Sequence, residues 1–111
     1  MTRVVQTLAG GWTVEGGNTA AMDILQANPE IDAIVAANDD MAMGVISAER
    51  ALGRDLIITG VDGQTPALEA VAAGDLTATL DVSPFLMGQV AARVVLDIAA
   101  GKFAGGFVST P

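Results

Sequence analysis

Asp32-Ala33-Ile34-Val35-Ala36-Ala37-Asn38-Asp39-Asp40-Met41-Ala42-Met43-Gly44 decides the fold class. Residues 32–37 form a short apolar and β-branched run, which predicts a strand over Asp32–Ala37. Asn38, Asp39 and Asp40 then make a polar junction. From Met41 the apolar residues return at helical spacing, through Met43, Val45, Ile46 and Leu52, until Gly53 closes the helix. A strand that feeds a helix through so short a junction is the βα unit of a parallel sheet.

The same alternation continues on both sides. Downstream, Leu56–Val61 is apolar almost throughout, as a buried parallel strand requires. Pro66–Ala73 is a short helix with Pro in its first turn and Gly74 at its end. Leu76–Val82 alternates Thr with apolar residues and reads as a strand nearer a sheet edge. Pro84 opens the longest helix, which ends near Gly101, and Phe103–Pro111 reads as an unfinished strand or linker. Upstream, Val4–Leu8 reads as a strand ended by Gly10-Gly11. Asn18 is read as the N-cap of a helix carrying Ala21, Met22, Ile24 and Leu25, which Pro29 stops, and Glu15-Gly16-Gly17 as a turn. About four β-α units predict an α/β fold, an open parallel sheet with helices on both faces. Neither a sequence repeat nor a change of composition divides residues 1–111, which are read as one unit.

Composition narrows the function. Of 111 residues, 51% are hydrophobic and 16% charged, so the chain has a core to bury and disorder is excluded. Aromatic residues are only 4%, which leaves Ala, Val, Ile, Leu and Met to fill that core. The net charge of −8, with scattered basic residues, argues against nucleic acid as a partner. Without His or Cys there is no usual transition-metal ligand, disulfide or thiol nucleophile. The most apolar stretch, residues 85–100, is interrupted by Gln89, Arg93 and Asp97, too often for a bilayer span. Residues 1–16 carry none of the features of a secretory signal.

In an open parallel sheet, ligands bind beyond the carboxyl ends of the strands. Three polar groups fall at such ends: Asn38-Asp39-Asp40, Asp62-Gly63-Gln64, and Asp81 with Ser83. Asn38 offers an amide donor and an acceptor, and Asp62 two acceptor oxygens, a combination suited to vicinal hydroxyls. Plainer readings stand beside this one. Asp39 or Asp40 is expected to cap its helix, and Asp62-Gly63 is compatible with ordinary turn chemistry. Met41 and Met43 read as core filler. Trp12, after a Gly-Gly pair, is a candidate for stacking on a sugar, although a packed or half-exposed indole is the commoner case.

The segment Ala37-Asn38-Asp39-Asp40-Met41-Ala42-Met43-Gly44 resembles the strand-to-helix junction of ribose-type periplasmic sugar-binding proteins of ABC transporters. Ile58-Thr59-Gly60-Val61-Asp62-Gly63 is similar to their next strand end. Leu76-Thr77-Ala78-Thr79-Leu80-Asp81-Val82-Ser83-Pro84, with Gly88 beyond it, is similar to the entry into their last long helix. The resemblance covers nearly the whole chain and implies part of a carboxyl-terminal lobe of the type I fold. It implies a monosaccharide held between two lobes, a membrane transporter as partner, a periplasmic location, and neither catalysis nor a cofactor. Asn38 and Asp62 would be the ligand contacts, with Asp81 and Trp12 as further candidates. Where the family often places a contacting Gln, this chain has Val82, with Asp81 beside it, which leaves the sugar unassigned.

The family's amino-terminal lobe is not in this sequence, nor is the first β-α unit of the carboxyl-terminal lobe. That unit would bring a central strand and an Arg contact. Two outcomes are expected: Val4–Leu8 pairs beside Ile34–Ala37, or chains associate as a homo-oligomer and exchange elements. Sugar binding by the isolated fragment is expected to be weak or absent. Two other readings remain, the ligand-sensing core of a LacI-type transcription regulator and a receiver-like domain holding magnesium on Asp39, Asp40 and Asp62.

Overall fold

The computed structural model describes residues 3–109. They form two compact units, one ending at Asp81 and the other beginning at Val82.

The first unit holds α1 (Val14–Ala27), β1 (Ala33–Val35), α2 (Asp39–Leu52), β2 (Ile57–Asp62), α3 (Thr65–Ala73) and β3 (Ala78–Asp81). The strands form a parallel sheet in the order β1-β2-β3. Ala33 pairs with Ile57, Val35 with Thr59, Thr59 with Ala78 and Asp62 with Asp81. The expected α/β fold with an open parallel sheet is therefore present, with three strands rather than four.

The missing strand is Val4–Leu8. These residues join no ladder, and Val4 is 83% exposed. β-branched composition favours a strand only where a neighbour accepts its hydrogen bonds and covers one face. Neither condition is met here, and β1 is left with β2 as its single partner among the described residues. Residues 103–109 also contain no strand.

α1 begins earlier than the sequence suggests. Thr13 is its N-cap, with the hydroxyl accepting from the Gly16 N–H at 3.0 Å. Glu15-Gly16-Gly17 is the first turn of this helix, and Asn18 lies inside it. The two glycines cost helix propensity, but tertiary contact compensates. α1 packs along α2 at the separation of touching backbones, and a Cβ on Gly17 would meet the backbone of Met41. A Cβ on Gly44 would meet the Val14 carbonyl and the Asn18 amide. The Asn18 side chain instead donates to the Gly44 carbonyl at 3.3 Å, so it joins two helices rather than starting one.

The helix ends follow the sequence closely. After α2, Gly53 N–H donates to Arg50 and Arg54 N–H to Glu49, the paired bonds of a Schellman motif. The same pair of bonds recurs at Gly74 after α3 and at Gly101 after α4. Arg50, in the last turn of α2, pairs with Asp75 at 2.6 Å, and this hydrogen bond raises the guanidinium pKa above its ordinary value. Both side chains are well exposed, so solvent screening leaves the pair little weight in stability.

The core lies between α2, α3 and one face of the sheet. Ile58, at the centre of β2, and Leu76 are almost fully buried among Ala42, Val45, Ile46 and Ala67. Met41 and Met43 pack against this core as filler. Small alanines let the helices approach the sheet closely, which replaces the aromatic bulk the chain lacks. The opposite sheet face, with Val35 82% and Leu80 63% exposed, is uncovered in this unit.

The second unit is α4 (Pro84–Ala99) and the segment after it. Pro84 sits at the helix start, where its missing N–H costs nothing. Arg93 and Asp97 pair across one turn at 3.4 Å. No residue of α4 is buried, and no helix among the described residues is long and apolar enough to cross a membrane.

Candidate functional site

Three of the predicted polar positions meet at the carboxyl ends of the strands of the first unit. Asn38 caps α2: its Oδ1 accepts from the Met41 N–H at 2.9 Å, and its Nδ2 donates to the Trp12 carbonyl at 3.3 Å. The capping oxygen keeps a second lone pair, and the amide nitrogen a second hydrogen. Capping and ligand contact are therefore compatible for this one residue.

Asp39 and Asp40 are not the caps the sequence suggested. They occupy the first helical turn, where their charge favours the positive end of the helix dipole. Asp39 is 1% exposed. Its Oδ2 accepts from the Gln64 N–H at 2.8 Å, and its Oδ1 from the Thr79 hydroxyl at 2.6 Å. Thr79 Oγ1 in turn accepts from the Gly63 N–H at 3.3 Å. One carboxylate thus ties the start of α2 to the turn after β2 and to β3. It fits only because β2 has glycine at residue 60, where a Cβ would strike Asp39 Oδ1. With this carboxylate satisfied inside the protein, the cage of Asp39, Asp40 and Asp62 that a magnesium site requires does not form. Among the described residues no group of three or more acidic side chains is placed to hold a metal ion.

Asp62 ends β2 with a φ of 128°, a conformation that side-chain-bearing residues seldom adopt, and Gly63 follows at 74°. Such a backbone costs about 1–3 kcal/mol and persists where its surroundings impose it. The Asp62 carboxylate receives one long hydrogen bond, 3.4 Å, from Gln64 Nε2, so most of its acceptor capacity faces outward. Asp81 is its register partner on β3, and a Cβ on Gly63 would lie 3.1 Å from Asp81 Cα. The two carboxylates therefore stand on neighbouring strands beside one turn.

Trp12 is 67% exposed with a φ of 64°, neither packed nor half-buried, and its carbonyl is held by Asn38. Ser83 precedes α4 in the second unit with a φ of 45°. A separate open hollow of about 540 Å³ lies between residues 8–13 and α1, lined by Thr13, Glu15, Thr19 and Asp23. Its lining includes none of Asn38, Asp62 and Asp81.

Thr79 was not among the residues singled out from sequence, although alternation of Thr with apolar residues is visible over 76–82. Both threonines of that run serve the sheet. Thr77 Oγ1 accepts from Ile58 N–H at 3.1 Å, as Thr79 does from Gly63.

Residues 1–103 match the periplasmic binding protein domain. The chain belongs to that family. It is 36% identical over 95 residues to a ribose import binding protein of Bacillus subtilis, covering 86% of this chain and 31% of that protein. A solved periplasmic solute binding protein of an ABC transporter from Actinobacillus succinogenes, with bound D-allose, superposes at a TM-score of 0.80 with 30% identity. That match covers 90% of this chain and 36% of the other. A structure from Mycobacterium smegmatis in complex with β-D-fucofuranose gives 0.88 at 30% identity, over 98% of this chain and 37% of the other. The chain thus spans about a third of the length of the relatives it matches.

Proposed function

We propose that this chain is part of the carboxyl-terminal lobe of a sugar-binding protein and supplies one wall of a monosaccharide cleft. Asn38 and Asp62 are the polar contacts, Asp81 is a further acceptor beside Asp62, and the exposed Trp12 indole offers a stacking face. The observation that carries the reading is the backbone of Asp62. A φ of 128° on a non-glycine residue is a local cost, and it falls on a residue at the sheet end whose carboxylate is under-used by the fold. A sugar presents vicinal hydroxyls that donate to Asp62 and exchange bonds in both directions with Asn38. Relatives of this chain are named for ribose, allose, apiose and rhizopine; ribose and allose head that series in similarity, so D-ribose and D-allose are the first sugars to test. Delivery to an ABC-type membrane transporter and a periplasmic location belong to the same reading. Binding is the whole role proposed, without catalysis.

Titration of the chain with D-allose and D-ribose, followed by amide NMR, tests this. Shifts are expected at Asn38, Asp62 and Gly63. In Asp62→Gly the affinity is expected to drop tenfold or more, since a hydrogen bond to a charged group is worth about 1.5–3 kcal/mol. Thermal stability of the same variant should rise by about 1 kcal/mol, the relieved strain less the extra chain entropy of glycine. Shifts confined to other surfaces, or unchanged affinity in Asp62→Gly, would overturn the assignment.

We also propose that chains associate through β1. Among the described residues no strand pairs with its outer edge, and the adjoining sheet face carries the exposed Val35 and Ile57. Light scattering over a range of concentrations is expected to give a dimer mass. A monomer at every concentration rules the association out.

A further inference from the structure

We infer that Asp39 is the positioning residue of this site: its buried carboxylate holds Asp62 in the conformation that aims it at a ligand. The inference rests on the sugar-binding role of Asp62 for its consequence, but its structural half stands alone.

Three observations converge. First, the bonds of Asp39 end on the residues just after Asp62. Its Oδ2 takes the Gln64 N–H at 2.8 Å, and through Thr79 its Oδ1 reaches the Gly63 N–H. Two consecutive backbone amides are thereby fixed in direction. Second, Asp62 itself has the positive φ, and nothing in its own side chain accounts for it, since among the described residues that side chain has only the long bond from Gln64. A conformation this unfavourable needs an outside restraint, and the amides at 63 and 64 are where one acts. Third, the space for Asp39 exists because β2 has no Cβ at residue 60. The carboxylate is built into the sheet end rather than merely tolerated there.

The arrangement also explains how two contacts from separate loops stay in register. Asn38 and Asp39 are consecutive at the start of α2, so the helix that orients the amide of Asn38 carries the clamp on Asp62. A displacement of that helix end moves both together. Groups held this way need little reordering when a ligand arrives, which lowers the cost of binding.

The test compares the parent chain with Asp39→Ala, Thr79→Val and Thr79→Ser by NMR, without sugar and with D-allose. The three-bond amide-to-α-proton coupling of Asp62 is small at its positive φ and large in an ordinary extended strand. In Asp39→Ala and Thr79→Val this coupling is expected to rise and the Gly63 and Gln64 amides to move, while α1 amides remain in place. Thr79→Ser, which keeps the hydroxyl, should retain the parent values. D-allose affinity is expected to fall about tenfold in Asp39→Ala, the equivalent of one charged hydrogen bond. Asp39→Ala added to Asp62→Gly should cost nothing further, a non-additivity that general destabilisation does not produce. An unchanged Asp62 coupling in both disruptive variants overturns the inference, as does additive loss in the double variant. If Asp39→Ala does not fold, Thr79→Val carries the same comparison. If D-allose moves no amide of the parent, the sugar reading falls, and the couplings still decide whether Asp39 holds the turn.

Discussion

Gly44→Val is expected to separate α1 from α2 and to cost more than about 3 kcal/mol, the upper end for forcing atoms into a packed interior. The position is unforgiving because the obstacle is backbone. A Cβ at residue 44 would overlap the Val14 carbonyl and approach the Asn18 amide, and neither can rotate away as a side chain can. The bond from Asn18 Nδ2 to the Gly44 carbonyl would go as well. Urea denaturation followed by far-ultraviolet circular dichroism checks this, with Gly53→Ala as the comparison. Gly53 has open space around its Cβ position and only a φ of 61° to defend. Its loss should be about 1 kcal/mol. Equal effects at the two sites would mean that α1 is not held at backbone contact.

The second large effect belongs to Asp39. Asp39→Ala removes the buried acceptor of the Gln64 N–H and the Thr79 hydroxyl and leaves two half-buried donors without it. Two hydrogen bonds to a charged group outweigh the desolvation recovered on deleting the carboxylate, and a loss of about 3 kcal/mol is expected. Asp40→Ala, one residue along the same helix turn, loses only its interaction with the helix dipole, about 0.5 kcal/mol. The same urea measurement, made on both variants, separates a buried clamp from a surface charge. A similar small loss in each would place Asp39 among ordinary first-turn acids.

The comparison of these two neighbours shows where sequence reading stops. Asn38, Asp39 and Asp40 are chemically alike as N-cap candidates, and the rule that such residues cap helices leaves the choice among three open. The strand decides it, because the residue at which β-geometry ends becomes the cap, and that residue is Asn38. Asp39 is then drawn inward, because its partners come from residue 64 and residue 79, far along the chain. A similar reason underlies Asn18. By local rules Gly16-Gly17 breaks a helix, and only the nearby backbone of α2 makes those glycines useful inside one. Val4–Leu8 failed in the opposite sense, a segment with strand composition and no neighbour to pair with.

What the sequence determined by itself was whatever depends on neighbours a few residues apart. The apolar periods located α2, β2, α3, β3 and α4, and Gly53, Gly74 and Gly101 ended three helices with the same pair of bonds. The order of strands and helices determined the parallel sheet, and with it the edge where Asn38, Asp62 and Asp81 gather. Tertiary structure alone decided which acid is buried, which asparagine caps, and which residue bears the positive φ. Those outcomes depend on contacts between segments distant in the chain, made only once the sheet has brought the ends of β2 and β3 beside the start of α2.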